Sequence, residues 1–388
     1  MRLGDRHALA DALIRARRLT LSFFANAGTA LPEVPCLPTL NPPLWELGHV
    51  GWFQEYWCLR WPLPARRGPV ADVSLAPSAL PSADAWYDSS RIAHDSRWSL
   101  PLPSLAQTRD YLERTLRASL EKLAAADDSD DALYFFRLAL FHECMHAEAF
   151  ACTWQTLGWP APDPDWVIGP VEGIGRDLVL PAGSVRIGRE GPGFSHDNEQ
   201  PATEVPVQAG RIAAAPVTHG EYLAFVEDGG YRDPRWWEAP VFAALAGEGR
   251  QAPRHWQQPG DWRLRWFDRQ LPLPLAAPVV HVDAHEAQAY CRWAGGHLPT
   301  EAQWVQAATR LPGFQWGRHV WEWTATDFLP LPGFAPGPYR DYSEPWFGDH
   351  RVVRGASFVT PRDMADTQFR NFYRPGRSDL FVGFRVCR

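Results

Sequence analysis

The sequence predicts an α+β protein in which an N-terminal four-helix bundle precedes a second domain rich in irregular loops. The chain has 388 residues, more than a single hydrophobic core usually holds. Residues 1–160 contain long segments with helical apolar spacing, whereas residues 161–388 contain short apolar stretches separated by Gly and Pro. The 37 prolines indicate much irregular loop. We therefore expect domains spanning 1–160 and 161–388, divided near a Pro-rich stretch.

Four segments of the first domain are expected to be helices. They span residues 5–25, 44–61, 105–126 and 131–157. The second begins after two prolines, which are favoured in the first turn of a helix. Residues 62–103, rich in Pro, Ser and Ala, predict one long connection, and the loop with Pro32, Pro35 and Pro38 predicts another. Four helices with two long connections indicate a bundle.

Two helices of the second domain have recognisable starts. Asp283 is followed three residues later by Glu286, and Thr300 is followed three residues later by Gln303. Each pair is a capping box, in which the two side chains satisfy free backbone N–H groups. The first of these helices should stop at the glycine pair 295–296.

Composition and charge exclude several classes of function. The net charge is -7 and no Lys/Arg run is present, so the sequence does not predict nucleic-acid binding. Mean hydropathy is -0.32 and no apolar run is long enough for a membrane span. The first 18 residues lack the apolar centre of a secretory signal, and the six cysteines form no C-x-x-C pair. We therefore expect a cytoplasmic protein with free thiols.

The pattern His-Glu-x-x-His at residues 142–146 is the most informative motif. Residues four apart lie on one face of a helix, so His142 and His146 should point the same way. Two imidazoles can hold one transition metal and leave coordination positions open. Glu148 lies a little to the side, and its role stays open between orienting a ligand and being a solvated helix residue.

A third ligand is needed, and His49 on the second predicted helix is the best candidate. Bundle interiors often carry metal sites built from facing helices. Two alternatives stay open at this point. The motif also matches the zinc proteases, in which Glu143 would be the base, although their third ligand comes later in the chain. In the second alternative, the histidines bind no metal and are buried structural residues of the core.

The chain resembles a known family at several motifs. Residues 41–49 and 142–148 resemble the two halves of the iron site in ergothioneine-type sulfoxide synthases. Those proteins join a DinB-like four-helix bundle to a formylglycine-generating-enzyme-like domain of C-type-lectin character. The second domain resembles theirs at residues 217–222, 295–304, 320–324, 354–358 and 383–386. The resemblance covers nearly the whole chain and implies that His49, His142 and His146 bind iron(II).

The formylglycine-generating enzymes themselves share the second domain and are a rival interpretation. They bind copper through two cysteines that follow an Arg-Gly-Gly-Ser motif. In this chain no cysteine lies between Cys291 and Cys387. The copper chemistry is therefore excluded.

The resemblance implies a reaction and its participants. Fe(II) would use O2 as cosubstrate to join a chalcogen donor to the imidazole C2 of Nα-trimethylhistidine (hercynine). Zinc has no redox chemistry with which to activate O2. Tyr339 or Tyr342 would supply a proton or a hydrogen atom, and the motif order does not choose between them. The expected partners are small molecules: hercynine, and a selenosugar or a thiol.

The resemblance also places the hercynine site. Asn371 occupies the position of the family asparagine that binds this substrate. Its quaternary ammonium group favours aromatic faces, which Phe372, Trp321 and Trp323 are candidates to provide. Each of these rings is also a plausible core residue.

The chain departs from the γ-glutamylcysteine-using members of the family at three places. Met145 replaces a glutamine, and Tyr373 replaces an aspartate. Arg97 aligns with one of two arginines that clamp carboxylates, whereas His94 replaces the other. An imidazole cannot reproduce a bidentate guanidinium clamp. All four residues are expected to contact substrate.

These departures favour a donor without two carboxylates. The selenoneine synthase branch, which joins a selenosugar to hercynine, is the most similar in residues 41–49 and 54–60. The alternatives are a sulfoxide synthase that uses cysteine or another thiol, a zinc hydrolase, and a non-catalytic protein whose second domain binds carbohydrate.

Overall fold

A computed structural model of the chain describes residues 1–28, 31–62, 75–258 and 260–388. The described helices are α1 (Arg6–Ser22), α2 (Pro43–Gln54), α3 (Ala83–Tyr87), α4 (Leu105–Ala124), α5 (Asp130–Leu157), α6 (His219–Glu227), α7 (Ala239–Glu248), α8 (Ala284–Trp293) and α9 (Glu301–Arg310). The described strands are β1 (Asp177–Leu180), β2 (Gly183–Ile187), β3 (Thr203–Val207), β4 (Gly210–Ala213), β5 (Trp256–Gln257), β6 (Arg263–Trp266), β7 (Arg269–Pro272), β8 (Trp321–Asp327), β9 (Arg351–Gly355), β10 (Asn371–Tyr373) and β11 (Val382–Gly383). A helical N-terminal part and a mixed C-terminal part confirm the predicted α+β class.

Helices α1, α2, α4 and α5 form the predicted bundle. The prediction for the second helix is right in extent, but its last turn, Glu55–Arg60, is a π-helix instead of an α-helix. The long connection contains α3 and a short 3₁₀ turn, His94–Trp98, while its residues 63–74 lie outside the described part. None of the described helices combines the length and the apolar character that a membrane crossing needs.

Local signals fix the ends of the bundle helices. The Ser129 side chain accepts a hydrogen bond from Ala132 N and caps α5, which ends at Gly158 in the left-handed conformation (φ 71°). Ser104 and Gln107 form a capping box at the start of α4. The helical part ends at α5 and the strands begin at β1, so the predicted boundary at 160/161 falls between them and stays a prediction.

The second part consists of small sheets with short helices packed on them. Its four-stranded sheet has the order β10–β9–β8–β11, in which only the β8–β11 pair is parallel. Both predicted capping boxes are present, Asp283 with Glu286 at α8 and Thr300 with Gln303 at α9. The strand that matters most for the site is β10, at the edge of this sheet.

A buried ionic cluster anchors the start of β10. Arg370, the residue before that strand, donates to both carboxylate oxygens of Glu301 at 2.7 and 3.1 Å, and Arg354 pairs with the same carboxylate. Burial alone would raise the Glu301 pKa, but the two guanidinium groups hold it at about 2. The cluster fixes the backbone from which the side chains of 371–373 project.

Both parts of the chain share one apolar core. Phe141 of α5 stacks on Phe194, with ring centroids 5.0 Å apart, and also faces Phe369. Beside them, the buried Arg2 guanidinium makes a bidentate pair with Glu199 at 2.6 and 2.7 Å. This packing holds α5 against the loops that precede β10, so that a cleft forms between the bundle and the sheet.

Candidate functional site

The structure brings the three predicted metal ligands together. His49 lies on α2, and His142 and His146 lie one turn apart on α5. The Nε2 atom of His142 is 3.2 Å from Nε2 of His49 and 3.2 Å from Nε2 of His146. These three nitrogens can all serve as ligands to one ion.

The outer nitrogens of two of these rings are held by hydrogen bonds. His49 Nδ1 donates to the Tyr87 carbonyl oxygen at 2.8 Å, and His146 Nδ1 donates to the Glu46 carboxylate at 2.7 Å. A proton fixed on Nδ1 leaves the lone pair of Nε2 free to bind a metal. Each ring is thereby held in the tautomer that a ligand needs.

Aromatic packing fixes the ring planes as well. Phe53 stacks on His142 with centroids 3.5 Å apart and planes 3° apart. Trp45 stacks on His49 with centroids 5.1 Å apart. The rings therefore have little freedom to turn away from one another, and the ligand geometry is set before any ion binds.

The electrostatics of this cluster fit a cation. Burial, together with the neighbouring imidazoles, holds the pKa of His49 and of His142 well below its usual value. The rings of His49 and His142 are therefore neutral, and their lone pairs, which converge at 3.2 Å, repel one another unless a positive ion lies between them. Three imidazoles are a suitable donor set for iron or zinc.

Glu143, the base that a zinc hydrolase would need, faces away from the histidines. Its carboxylate makes a buried bidentate pair with Arg17 of α1, at 2.8 and 3.2 Å. Glu143 is buried in this pair and does not line the cleft onto which His142 and His146 open, so its carboxylate is not available as a base there. The geometry opposes the hydrolase alternative.

A cleft of about 630 Å³ opens on two of the histidines, His142 and His146. It is lined by seven of the ten residues predicted to contact substrate or to act in catalysis: Arg97, Met145, Tyr339, Tyr342, Asn371, Phe372 and Tyr373. Glu148 lines it too. The cleft therefore joins residues of both halves of the chain.

The two candidate tyrosines have different surroundings. The Tyr339 ring packs edge-on against Phe53 at 5.0 Å, and its centroid is 6.4 Å from that of His142. Tyr342 instead stacks on the buried His196 at 4.2 Å. Burial raises the pKa of the Tyr339 hydroxyl above its usual value, so it keeps its proton at neutral pH. Tyr339 is the better placed of the two.

The three residues of β10 form one wall of the cleft. Asn371 Oδ1 accepts from Phe372 N at 2.9 Å, and Asn371 Nδ2 donates to the Tyr373 hydroxyl at 3.4 Å. Phe372 stacks on Phe328 at 4.0 Å. The amide and the aromatic face are thus held rigidly at the sheet edge.

Three predicted residues do not line the cleft. Trp321 and Trp323 are fully buried in the core of β8, and their indole N–H groups donate to Glu148 and to the Val282 carbonyl. His94 is not among the residues that line the cleft, and its Nε2 donates to the Leu40 carbonyl at 2.7 Å. The structure therefore supports no substrate contact for these three side chains.

Arg97 remains as the guanidinium of the predicted clamp. It donates to Asn41 Oδ1 at 2.7 Å and lies over the Trp45 ring at 4.1 Å. Met145, which precedes His146 on α5, also lines the cleft and presents a thioether where the γ-glutamylcysteine-using members have the hydrogen-bonding amide of a glutamine. Of the two predicted clamp positions, only one presents a cation to the cleft.

Glu148 is neither solvated nor bonded to a ligand histidine. It is buried, and Trp321 Nε1 donates to its Oε2 at 2.8 Å. Burial raises its pKa to about 7, although hydrogen bonds from Thr360 and Trp321 oppose the rise. A carboxylate at this place favours a cationic group in the cleft.

Sequence reasoning missed two residues that hold the histidines. Glu46 lies one turn before His49 and is a buried acid in an apolar helix, a signal that could have identified it. Tyr87 acts through its backbone carbonyl, for which no sequence signal exists.

Comparisons with known proteins match both halves of the chain. The DinB superfamily model matches residues 12–149, and the model of the sulfatase-modifying factor enzyme 1-like domain matches residues 170–319 and 314–388. A hercynine oxygenase of Mycobacterium tuberculosis is 33% identical over 432 residues, which cover 97% of this chain and 97% of that protein. A second, from Mycolicibacterium smegmatis, is 32% identical, covering 98% and 99%. Ergothioneine biosynthesis protein 1 of Schizosaccharomyces pombe is 27% identical, covering 50% of this chain and 28% of that protein.

Proposed function

Because the chain belongs to the ergothioneine-type sulfoxide synthase family, together with the hercynine oxygenases, we propose that it is a non-haem iron(II) enzyme. It uses O2 to join a selenosugar to the imidazole C2 of hercynine. The observation that carries this proposal is the convergence of three imidazole Nε2 atoms, 3.2 Å apart, at the side of a cleft that also contains the β10 wall.

Iron(II) held by three neutral imidazoles would supply redox chemistry and open coordination positions for O2 and a soft chalcogen donor. The residues around it have separable roles. Glu46 and the Tyr87 carbonyl orient the ligand rings. Tyr339 holds a hydroxyl proton close to the reacting groups. The overall reaction breaks the imidazole C2–H bond and the Se–H bond and forms the C–Se bond, and O2 takes up the two electrons and two protons and leaves as hydrogen peroxide.

Hercynine fits the β10 side of the cleft. Its quaternary ammonium group is attracted to an aromatic face and to a carboxylate, and Phe372 and Glu148 offer these. Asn371 offers an amide for a polar group of the same substrate. This assignment leaves the opposite side of the cleft to the donor.

The choice of a selenosugar rests on the positions that bind a donor with two carboxylates in the γ-glutamylcysteine-using members of the family, because these positions are altered in this chain. Arg97 lines the cleft and is already engaged by Asn41, whereas His94 lies elsewhere and Tyr373 offers no charge. A neutral hydroxylated donor needs no such clamp. A sulfoxide synthase that joins cysteine or another thiol to hercynine is the second candidate, and the similarity to an ergothioneine biosynthesis protein favours it.

The test is anaerobic loading with Fe(II), addition of hercynine and a 1-selenosugar, and exposure to air. We expect an O2-dependent product in which a C–Se bond joins both substrates and whose mass is their sum less two hydrogens, and much slower turnover with cysteine or γ-glutamylcysteine. The variant His49→Ala should lose metal and activity, whereas His7→Ala, at an exposed helix position, should keep both. Turnover with thiols alone would refute the selenium assignment, and activity in the His49 variant would refute the metal site.

A further inference from the structure

A second cleft, of about 420 Å³, adjoins the one described above. Its inner wall is made by aromatic side chains that follow one another along α2 and its π-helical end: Trp52, Phe53, Tyr56, Trp57 and Trp61. Tyr339 and Asp341 line both clefts. A ligand in the second cleft would therefore lie next to the tyrosine nearest the three histidines.

The π-helical turn is what gathers these rings. Trp61 N donates to the Tyr56 carbonyl at 2.9 Å, a hydrogen bond five residues long that widens the helix. As a result the Tyr56 and Trp61 rings lie 5.9 Å apart, and Trp57 lies 5.0 and 4.6 Å from them. Such turns are rare and occur often at functional sites.

The rim of the cleft is polar and acidic. Asp88, Ser89, Ser90, Asp341 and Glu344 face the aromatic wall. The nearby cations are paired: Arg340 with Glu344 at 3.1 Å, Arg91 with Asp88 at 3.3 Å, and Arg60, which lies over the Tyr56 ring, with Asp84 at 2.7 Å. In the described part of the chain, Asp341 forms no ion pair. Burial, and then the charge of Asp88, raise the Asp341 pKa above its usual value.

These two features together identify a class of ligand. The face of an aromatic ring in this wall accepts the C–H face of a sugar ring, and carboxylates and hydroxyls accept hydrogen bonds from its hydroxyl groups. An excess of carboxylate over free cation disfavours an amino-acid or peptide donor, whose own carboxylate would be repelled.

We propose that this aromatic cleft binds the glycosyl ring of the donor, with its chalcogen directed past Tyr339 toward the three histidines. The inference rests on the proposed function, because it assigns the donor of that reaction to a place. Hercynine occupies the β10 side, and the sugar occupies the π-helix side. The cleft, instead of a charged clamp, then selects the donor.

Binding can be tested without turnover, so that the two proposals fail separately. Metal-free protein is titrated with neutral methyl glycosides of glucose, galactose and N-acetylglucosamine, followed by tryptophan fluorescence and ligand-observed NMR. The variant Tyr56→Ala should weaken binding of the best glycoside about tenfold. The matched control Trp236→Ala removes a half-buried ring outside both clefts and should leave binding unchanged. The variant Asp341→Asn should lower the ratio of the affinity for methyl glucoside to the affinity for glucuronate, because it removes a negative charge that repels the glucuronate carboxylate.

Steady-state kinetics of the complete reaction provide a second measurement. With a 1-selenosugar, Tyr56→Ala should raise the donor KM about tenfold and leave the hercynine KM unchanged. Glycoside binding that depends on Tyr56, without any C–Se product, would support the sugar cleft and overturn the selenium reaction. Selenosugar turnover with an unaltered donor KM in Tyr56→Ala would overturn the sugar cleft and leave the proposed function intact. If none of the glycosides binds to the parent protein, the assignment of a sugar site to this cleft is also wrong.

Discussion

Replacement of Glu46 is the sharpest test of how the fold prepares the metal site. Its carboxylate accepts the Nδ1 proton of His146 at 2.7 Å, and the residue is 1% exposed. In Glu46→Gln an oxygen can still accept this bond, but the negative charge that strengthens the ligand is lost. In Glu46→Ala the acceptor itself is lost, and a buried N–H is left unpaired.

Loss of such a partner typically lowers metal affinity by about 10–100-fold, which corresponds to about 1.4–2.8 kcal/mol. Because the Glu46 carboxylate is buried and the bond is short, water cannot easily take its place. We therefore expect a loss of about tenfold for the glutamine variant and about 100-fold for the alanine variant.

The measurement is competition for Co²⁺ between metal-free protein and a chelator, followed by the visible absorption of the bound ion. Glu55→Gln is the matched control. Glu55 is also a buried acid on this helical segment, but it accepts from Ala79 N and from the Ser78 and Tyr111 hydroxyls, and contacts none of the three histidines. The control should lose stability and keep its Co²⁺ affinity. An alanine variant at 46 with affinity within twofold of the parent would refute the reasoning.

Two further predictions concern stability. In Gly48→Ala the new Cβ would lie 2.2 Å from the buried Tyr87 ring, so we expect a loss of about 1–3 kcal/mol in chemical denaturation, whereas Gly247→Ala, with open space around it, should be neutral or stabilising. Glu301→Gln leaves two buried guanidinium groups without their carboxylate and should cost about 3–5 kcal/mol at pH 7. Because folding lowers the Glu301 pKa from 4.5 to about 2, its contribution is complete above pH 4.5 and disappears as the pH falls toward 2. Parent and Glu301→Gln stabilities should therefore converge in acid; a gap that stays constant would contradict this.

Part of the site follows from short-range rules. The helical repeat places His142 and His146 on one face, whereas the pair that holds Glu143 away from them involves Arg17, 126 residues earlier, and follows from no short-range rule. The capping boxes at Asp283 and Thr300 were correct because both partners lie within one turn.

Other parts depend on contacts that no short pattern contains. The sequence left Tyr339 and Tyr342 equal, but the packing of Phe53 and His196 gives them different neighbours. Trp321 was a candidate for an aromatic cage, yet both faces of its strand are covered, so the ring is a core residue. A strand alone does not reveal which of its faces another layer will cover.

The sequence by itself determined the fold class, the helix ends and the pairing of two histidines, because backbone hydrogen bonds and helical repeats act over a few residues. Only the tertiary structure decided that His49 meets that pair, that a backbone carbonyl in the long connection holds its tautomer, and that a π-helical turn builds an aromatic wall beside Tyr339. The two contacts of His49 join residues 38 and 93 positions apart, and the contact of Phe53 with Tyr339 joins segments much further apart; such packing depends on the whole core.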